Sequence, residues 1–143
     1  MEARFFLNYF SDRRLPNHFL IADNYQGWII VKFGDPTCPA LVHKNDFIVL
    51  KVGAEPLCTS DPLAKGWADD IFAYESQPHE NLVANPSSGL NRIWHEAVFS
   101  DQQTTSNGAY FVFHVGKKLE KAVLHTEMDR IQQSLPHLNY KGN

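Results

Sequence analysis

The chain has 143 residues, 43% of them hydrophobic and 20% charged, which suits one globular core, so a single domain over residues 1–143 is expected. A net charge of −3 with neutral histidines excludes a general affinity for nucleic acid, which needs concentrated Lys and Arg, and only Arg13-Arg14 and Lys117-Lys118 cluster. No apolar run approaches bilayer-spanning length.

Residues 3–10 are apolar and read as a short helix or an edge strand. They are too short for a signal-peptide core and lack a small-residue cleavage site. The chain as given is therefore expected in the cytoplasm, or in the periplasm or outside the cell if its N-terminus has been trimmed. Phe19-Leu20-Ile21-Ala22 predicts a short strand, and Asn24-Tyr25-Gln26-Gly27 a turn. Trp28 to Phe33 is β-branched, aromatic and nearly continuous, the pattern of a strand buried on both faces or central in its sheet. Pro36 and Pro39 make 34–39 irregular. Asn45-Asp46 is a turn, Phe47 to Val52 a second strong strand, Leu57-Cys58-Thr59 a short one and Ile71 to Tyr74 a half-buried one. Residues 75–91 read as a long surface loop with a short strand at Leu82-Val83, and Arg92 to Phe99 as a strand. Asn107-Gly108 signals a turn before the third strong strand, Ala109 to Val115. The single helix is expected at 117–134. There Leu119, Val123, Met128, Ile131 and Leu135 draw an apolar stripe that would dock on the sheet, and Pro136 ends it.

Little here carries chemistry. The histidines form no His-Glu-x-x-His pattern, and Cys38, His43 and Cys58 would leave a zinc site incomplete, so no metal and no cofactor is expected. Cys38 and Cys58 could be disulfide-bonded, be buried free thiols, or include a nucleophile. Export would favour the bond, and the cytosol the thiols. Ser60 lacks the strained turn that a serine nucleophile needs, and Asp69-Asp70 reads as a loop edge rather than a catalytic pair. Trp67 and Trp94, with His95, could line a ligand pocket, although loop aromatics also pin loops to sheets. Glu96 joins His95 and Cys58 as the residues an enzymatic reading would use.

Several spaced features, Tyr25-x-Gly27-Trp28-Ile29-Ile30-Val31, Asp35-Pro36-x-Cys38-Pro39, Cys58-Thr59-Ser60-x-Pro62, Gly66-Trp67-x-x-Asp70-x-Phe72-x-Tyr74, Ile93-Trp94 and Phe111-x-Phe113-x-Val115-Gly116, together span about residues 25–117, most of the chain. In order and content they resemble a family of small bacterial β-rich proteins with no assigned function. The resemblance implies a β fold, secretion or lipid anchoring, and a paired cysteine. It brings no activity.

The expected fold is therefore mainly β, an antiparallel sandwich or curved sheet with one C-terminal helix; the alternative is an α+β sheet covered by that helix. The three strong runs are expected to pair as neighbours beneath it. The expected function is a small non-enzymatic binding or interaction protein of bacterial origin, with a small hydrolase using His95, Glu96 or Cys58 as the alternative. Its partner would be a small molecule or a protein, with no nucleic acid and no transmembrane segment, and homo-oligomers are open to it.

Overall fold

The chain passes back and forth between two sheets. In this computed structural model the described residues are 14–64, 66, 68–83, 92–101 and 108–142. The strands are β1 (Asn17–Ile21), β2 (Gly27–Phe33), β3 (Val42–Lys44), β4 (Phe47–Val52), β5 (Leu57–Cys58), β6 (Ile71–Tyr74), β7 (Arg92–Ser100), β8 (Ala109–Gly116) and β9 (Lys141–Gly142). Helix α1 (Lys121–Ser134) runs into a short 3-10 turn at Leu135–His137. One sheet has the order β3-β4-β1-β6 and the other β7-β8-β2-β5-β9.

The fold is mainly β with one C-terminal helix, as expected, but the pairing is mixed rather than purely antiparallel. β1 lies parallel to both β4 and β6, and β2 parallel to β5, whereas β2–β8, β7–β8 and β3–β4 are antiparallel. The cause is the connectivity. After β1 the chain crosses to the other sheet for β2, re-enters at β3 and reverses through the hairpin into β4, then crosses again for β5 before re-entering at β6, so that β4 and β6 both run with β1. The three strong runs consequently do not all pair. β2 and β8 are neighbours, while β4 belongs to the opposite sheet and reaches them only across the core.

That core is built by alternation along each strand. Ile29, Val31 and Phe33 of β2, Phe113 and Val115 of β8, Phe19 and Ile21 of β1, and Leu50 and Val52 of β4 are all buried between the sheets. Phe19 stacks on Phe72 at 4.6 Å, and the Phe113 ring stands edge-on to both, at 5.2 and 5.0 Å. A second, smaller core lies on the outer face of the five-stranded sheet. There Tyr110 and Val112 are covered by Ile131 and Leu135, with Trp28, Ile30, Phe99 and Met128 packed around them.

Two departures from sequence expectation concern the ends of elements. Leu82-Val83 is a turn, not a strand, and the helix begins at Lys121 rather than 117. The stripe also docks only in part: Ile131 and Leu135 are 2% exposed, but Val123 is 47% exposed. The short strands β3 and β9 had no apolar run to announce them. The readings for residues 3–10, and the position of Trp67, lie outside the described residues.

Local chemistry sets the turns. Asn45 and Asp46 both take positive φ, 52° and 65°, which makes the β3–β4 connection a two-residue hairpin turn of the primed kind. At the start of β1, Arg14 grips Asp70 with two hydrogen bonds of 2.7 Å, and Asn17 N–H donates to the same carboxylate at 2.8 Å. Asp70 is thus committed to clamping β1 to β6. The irregular 34–41 segment is stapled by a disulfide between Cys38 and Cys58, whose Cα atoms are 5.8 Å apart. Beside it the fully buried Thr59 hydroxyl donates to the Pro39 carbonyl at 3.0 Å.

Candidate functional site

The two sheets differ on their outer faces. The five-stranded sheet carries α1 on its outside; the four-stranded sheet has no helix over it among the described residues. β4 nonetheless continues its apolar alternation outward. Leu50 and Val52 face the core, whereas Phe47, Val49 and Lys51 point away from it. His18 and Leu20 of β1, Val42 and Lys44 of β3, and Ile71 of β6 join them in the floor and rim of a groove of about 840 Å³. That volume lies in the range of small-molecule sites, roughly 300–1,000 Å³.

One wall of the groove is the segment from Glu75 to Val83, folded back against the edge of β6. Leu82 N–H donates to the Phe72 carbonyl at 2.8 Å, and Phe72 N–H donates to the Asn81 side-chain oxygen at 3.3 Å. His18 fastens this wall to the floor. Its Nε2 donates to the Pro78 carbonyl at 2.9 Å, which means that Nε2 carries the proton, and its ring lies 5.7 Å from that of Phe47. The groove thus has an apolar floor, a polar rim of Lys44, Asn45, Lys51, Glu75 and His79, and a wall held by backbone hydrogen bonds.

A second cluster sits on the covered sheet. β7 carries one extra residue between Trp94 and Ala97, a bulge that places His95 at φ 58°. Its ring lies 6.4 Å from those of Trp28, Trp94 and His114, and Trp28 meets His114 edge-on at 5.0 Å. His95 Nε2 accepts the Leu119 backbone N–H at 3.1 Å, so the proton of the neutral ring is on Nδ1. Trp94 Nε1 donates to the Gly116 carbonyl at 2.9 Å, and the Lys118 ammonium lies 5.8 Å from the Trp94 ring centroid. Burial and the Lys118 charge hold the His95 pKa below its ordinary value. Burial and then His95 do the same to His114, opposed more weakly by Glu127 and the Lys117 backbone. The hydrogen bonds of Trp94 and His95 tie the strand bulge to the 116–119 link that leads into α1, while Trp28 Nε1 and His114 Nδ1 are buried with no hydrogen-bond partner among the described residues.

A third group surrounds Lys32. Its ammonium lies 3.2 Å from Asp35 and 3.8 Å from Asp101, and 5.9 and 5.5 Å from the ring centroids of Tyr110 and Tyr140. Burial opposes the Lys32 charge, but the hydrogen bond to Asp35 and the surrounding charges outweigh it and raise the pKa. Burial also pushes the Tyr140 hydroxyl far up, helped by Tyr110 and Asp101; that hydroxyl donates to the Leu135 carbonyl at 2.7 Å. Asp35 places a carboxylate oxygen within 4.8 Å of both cysteine sulfurs. The sulfurs are bonded to each other and offer no thiolate to a metal.

No family model matches the chain, and no curated protein matches it. Its fold is similar to the crystal structure of a Bacillus anthracis protein named "Putative Lipoprotein". The TM-score is 0.53 at 15% identity, over 89% of this chain and 99% of the other. The likeness is one of fold.

The residues singled out from sequence are dispersed by this fold. Trp94 and His95 are together, but on the covered sheet, where their polar atoms are engaged with backbone groups. Trp67 lies outside the described residues. Cys58 is fully buried and disulfide-bonded, so it is no nucleophile. Glu96 is exposed, and crowding together with the Asp70 carboxylate raises its pKa. The groove residues went unnoticed because each looks like ordinary strand composition. The one available signal was that Phe47-Ile48-Val49-Leu50 is apolar on both alternations, which demands cover on both faces.

Proposed function

We propose that this protein is a small non-enzymatic binding module of the bacterial cell envelope, and that the groove on the outer face of the four-stranded sheet is its binding site. The observation that carries this reading is an apolar floor of Leu20, Val42, Phe47, Val49 and Ile71 in a walled concavity of about 840 Å³. Scattered surface hydrophobics need no explanation, but a contiguous recessed set is the usual mark of a binding surface. An envelope location is supported by the disulfide, since such bonds persist in oxidising compartments, and by the fold likeness to a protein named as a lipoprotein.

The test uses Nile red, a neutral dye whose emission rises in apolar surroundings. The wild-type protein is expected to enhance it saturably, and Val49→Asp, which puts a carboxylate on the groove floor, is expected to abolish the response. The Val49→Asp protein should keep its strand-dominated circular dichroism, because Val49 is outside the buried core. A wild-type protein that gives no enhancement, or a Val49→Asp protein that binds as well, removes the groove from consideration.

A further inference from the structure

Resting on the groove as the binding site, we infer that its occupant is a single-chain amphiphile with an anionic head, of the alkyl carboxylate class, with the head at the Lys44 end. The groove rim is cationic on a chain of opposite net charge. The chain as a whole carries −3, yet the groove rim carries Lys44 and Lys51 against the single carboxylate of Glu75. Elsewhere Arg14, Lys32, Arg130 and Lys141 each sit against a carboxylate, while among the described residues Lys117, Lys118 and Lys121 beside the helix start make no ion pair. Lys44 and Lys51 are exposed, and among the described residues neither makes an ion pair. Two unpaired cations flanking an apolar floor are complementary to a molecule that has both an alkyl chain and a negative charge.

Strand register separates the two lysines and gives the groove a direction. Lys44 is paired with Phe47 at the start of β4, and Lys51 is paired with Leu20 near its end. At about 3.3 Å per residue, the rows of Phe47 and Lys51 are roughly 13 Å apart. Leu20 aligns with Ala73, so Glu75, just past the end of β6, lies toward the Lys51 end. The Lys44 end is flanked by the Asn45 amide and has no carboxylate among the groove-lining residues; Asp46, in the same turn, is not one of them. A head group at Lys44 therefore leaves its tail to run over Phe47, Val49 and Leu20 toward Lys51. The wall formed by Pro78 and His79 recesses this floor. A flat bilayer would meet the rim before the floor, which favours a single withdrawn molecule over a membrane surface.

The experiment compares dodecanoate, dodecanol and dodecylammonium below their aggregation limits, by displacement of Nile red from the full chain. The inference expects dodecanoate to bind about threefold to fivefold more tightly than dodecanol, the size of effect one exposed ion pair supplies, and dodecylammonium to bind most weakly. Lys44→Glu should invert that order, with strand-dominated circular dichroism and an unchanged melting temperature reporting that the fold is intact. Lys51→Glu should have the smaller effect, and the preference should shrink as salt rises. Equal binding of the three compounds, or a preference untouched by Lys44→Glu, overturns the anionic head while the groove stands as an apolar site. If none of the three displaces a dye that does bind, the amphiphile is wrong; if Nile red does not bind either, the groove reading has failed as well.

Discussion

The outer faces of the two sheets are built from strands of nearly the same composition and have opposite fates. Trp28, Ile30, Tyr110 and Val112 on the five-stranded sheet lie beneath α1. Phe47, Val49, Leu20 and Val42 on the four-stranded sheet lie in an open groove, and Val42 is 56% exposed. A buried apolar side chain contributes about 1.5–3 kcal/mol relative to an exposed one. The covered face therefore contributes to folding, and the open face holds back a comparable apolar surface from the folding balance. The open face is the one on which the proposed site lies. On the covered sheet, Trp94 Nε1 and His95 Nε2 hold the link to the helix.

Phe113 touches Phe19 and Phe72 between the sheets, so it belongs to both halves at once. Phe113→Ala should cost about 3–5 kcal/mol and abolish Nile red binding together with helix docking, as read by denaturant unfolding and dye fluorescence. A variant that lost one function and kept the other would show that the two halves fold separately.

A smaller effect separates the faces. Ile131 is buried between α1 and β8, and Ile131→Ala should cost about 2–4 kcal/mol and raise hydrogen exchange in α1 while β1 and β4 stay protected. The matching change on the open face, Val42→Ser, should move stability by less than about 0.5 kcal/mol. Equal costs for the two would mean that the open face is covered after all.

The smallest effect is a pH dependence confined to the covered face. His95 and His114 both have folded-state pKa values below the usual histidine value, from burial first and then from the Lys118 charge on His95 and from His95 on His114. Each therefore contributes stability that is present above its unfolded value, near 6.5, and is lost as pH falls through that value toward the lower folded one. Protonating His95 Nε2 also removes the acceptor for Leu119 N–H. Melting temperature should fall between about pH 7 and pH 5, and less steeply in His95→Asn. Amide exchange should show α1 loosening before β4. An identical slope in wild type and His95→Asn would remove His95 from this role.

Much of the fold was legible because it is encoded locally. Strands β2, β4, β6, β7 and β8 were all foreseen within about a residue, since β-branched and aromatic runs bounded by Gly, Pro, Asn and Asp leave few alternatives. The Asn45-Asp46 turn was equally readable, because both residues tolerate positive φ. The disulfide was one of three options, and sequence alone had no means of choosing among them. The groove was not legible. Phe47, Val49, Leu20 and Ile71 come from three separate strands and meet only through the β4-β1-β6 register. Trp94 and His95 stand out in the sequence as rare residue types, but their engagement with the Gly116 and Leu119 backbone cannot be seen from spacing.

By itself the sequence determined a single mostly β unit, the position of its strong strands and the presence of one terminal helix, because alternation and turn chemistry act over a few neighbouring residues. Only the tertiary structure decided which sheet each strand joined, which pairs ran parallel and which outer face the helix covered. Those choices depend on contacts between residues far apart in the chain. α1 is long enough to cover part of one sheet face, and its buried residue Ile131, with Leu135 of the 3-10 turn that follows, is spent on β8.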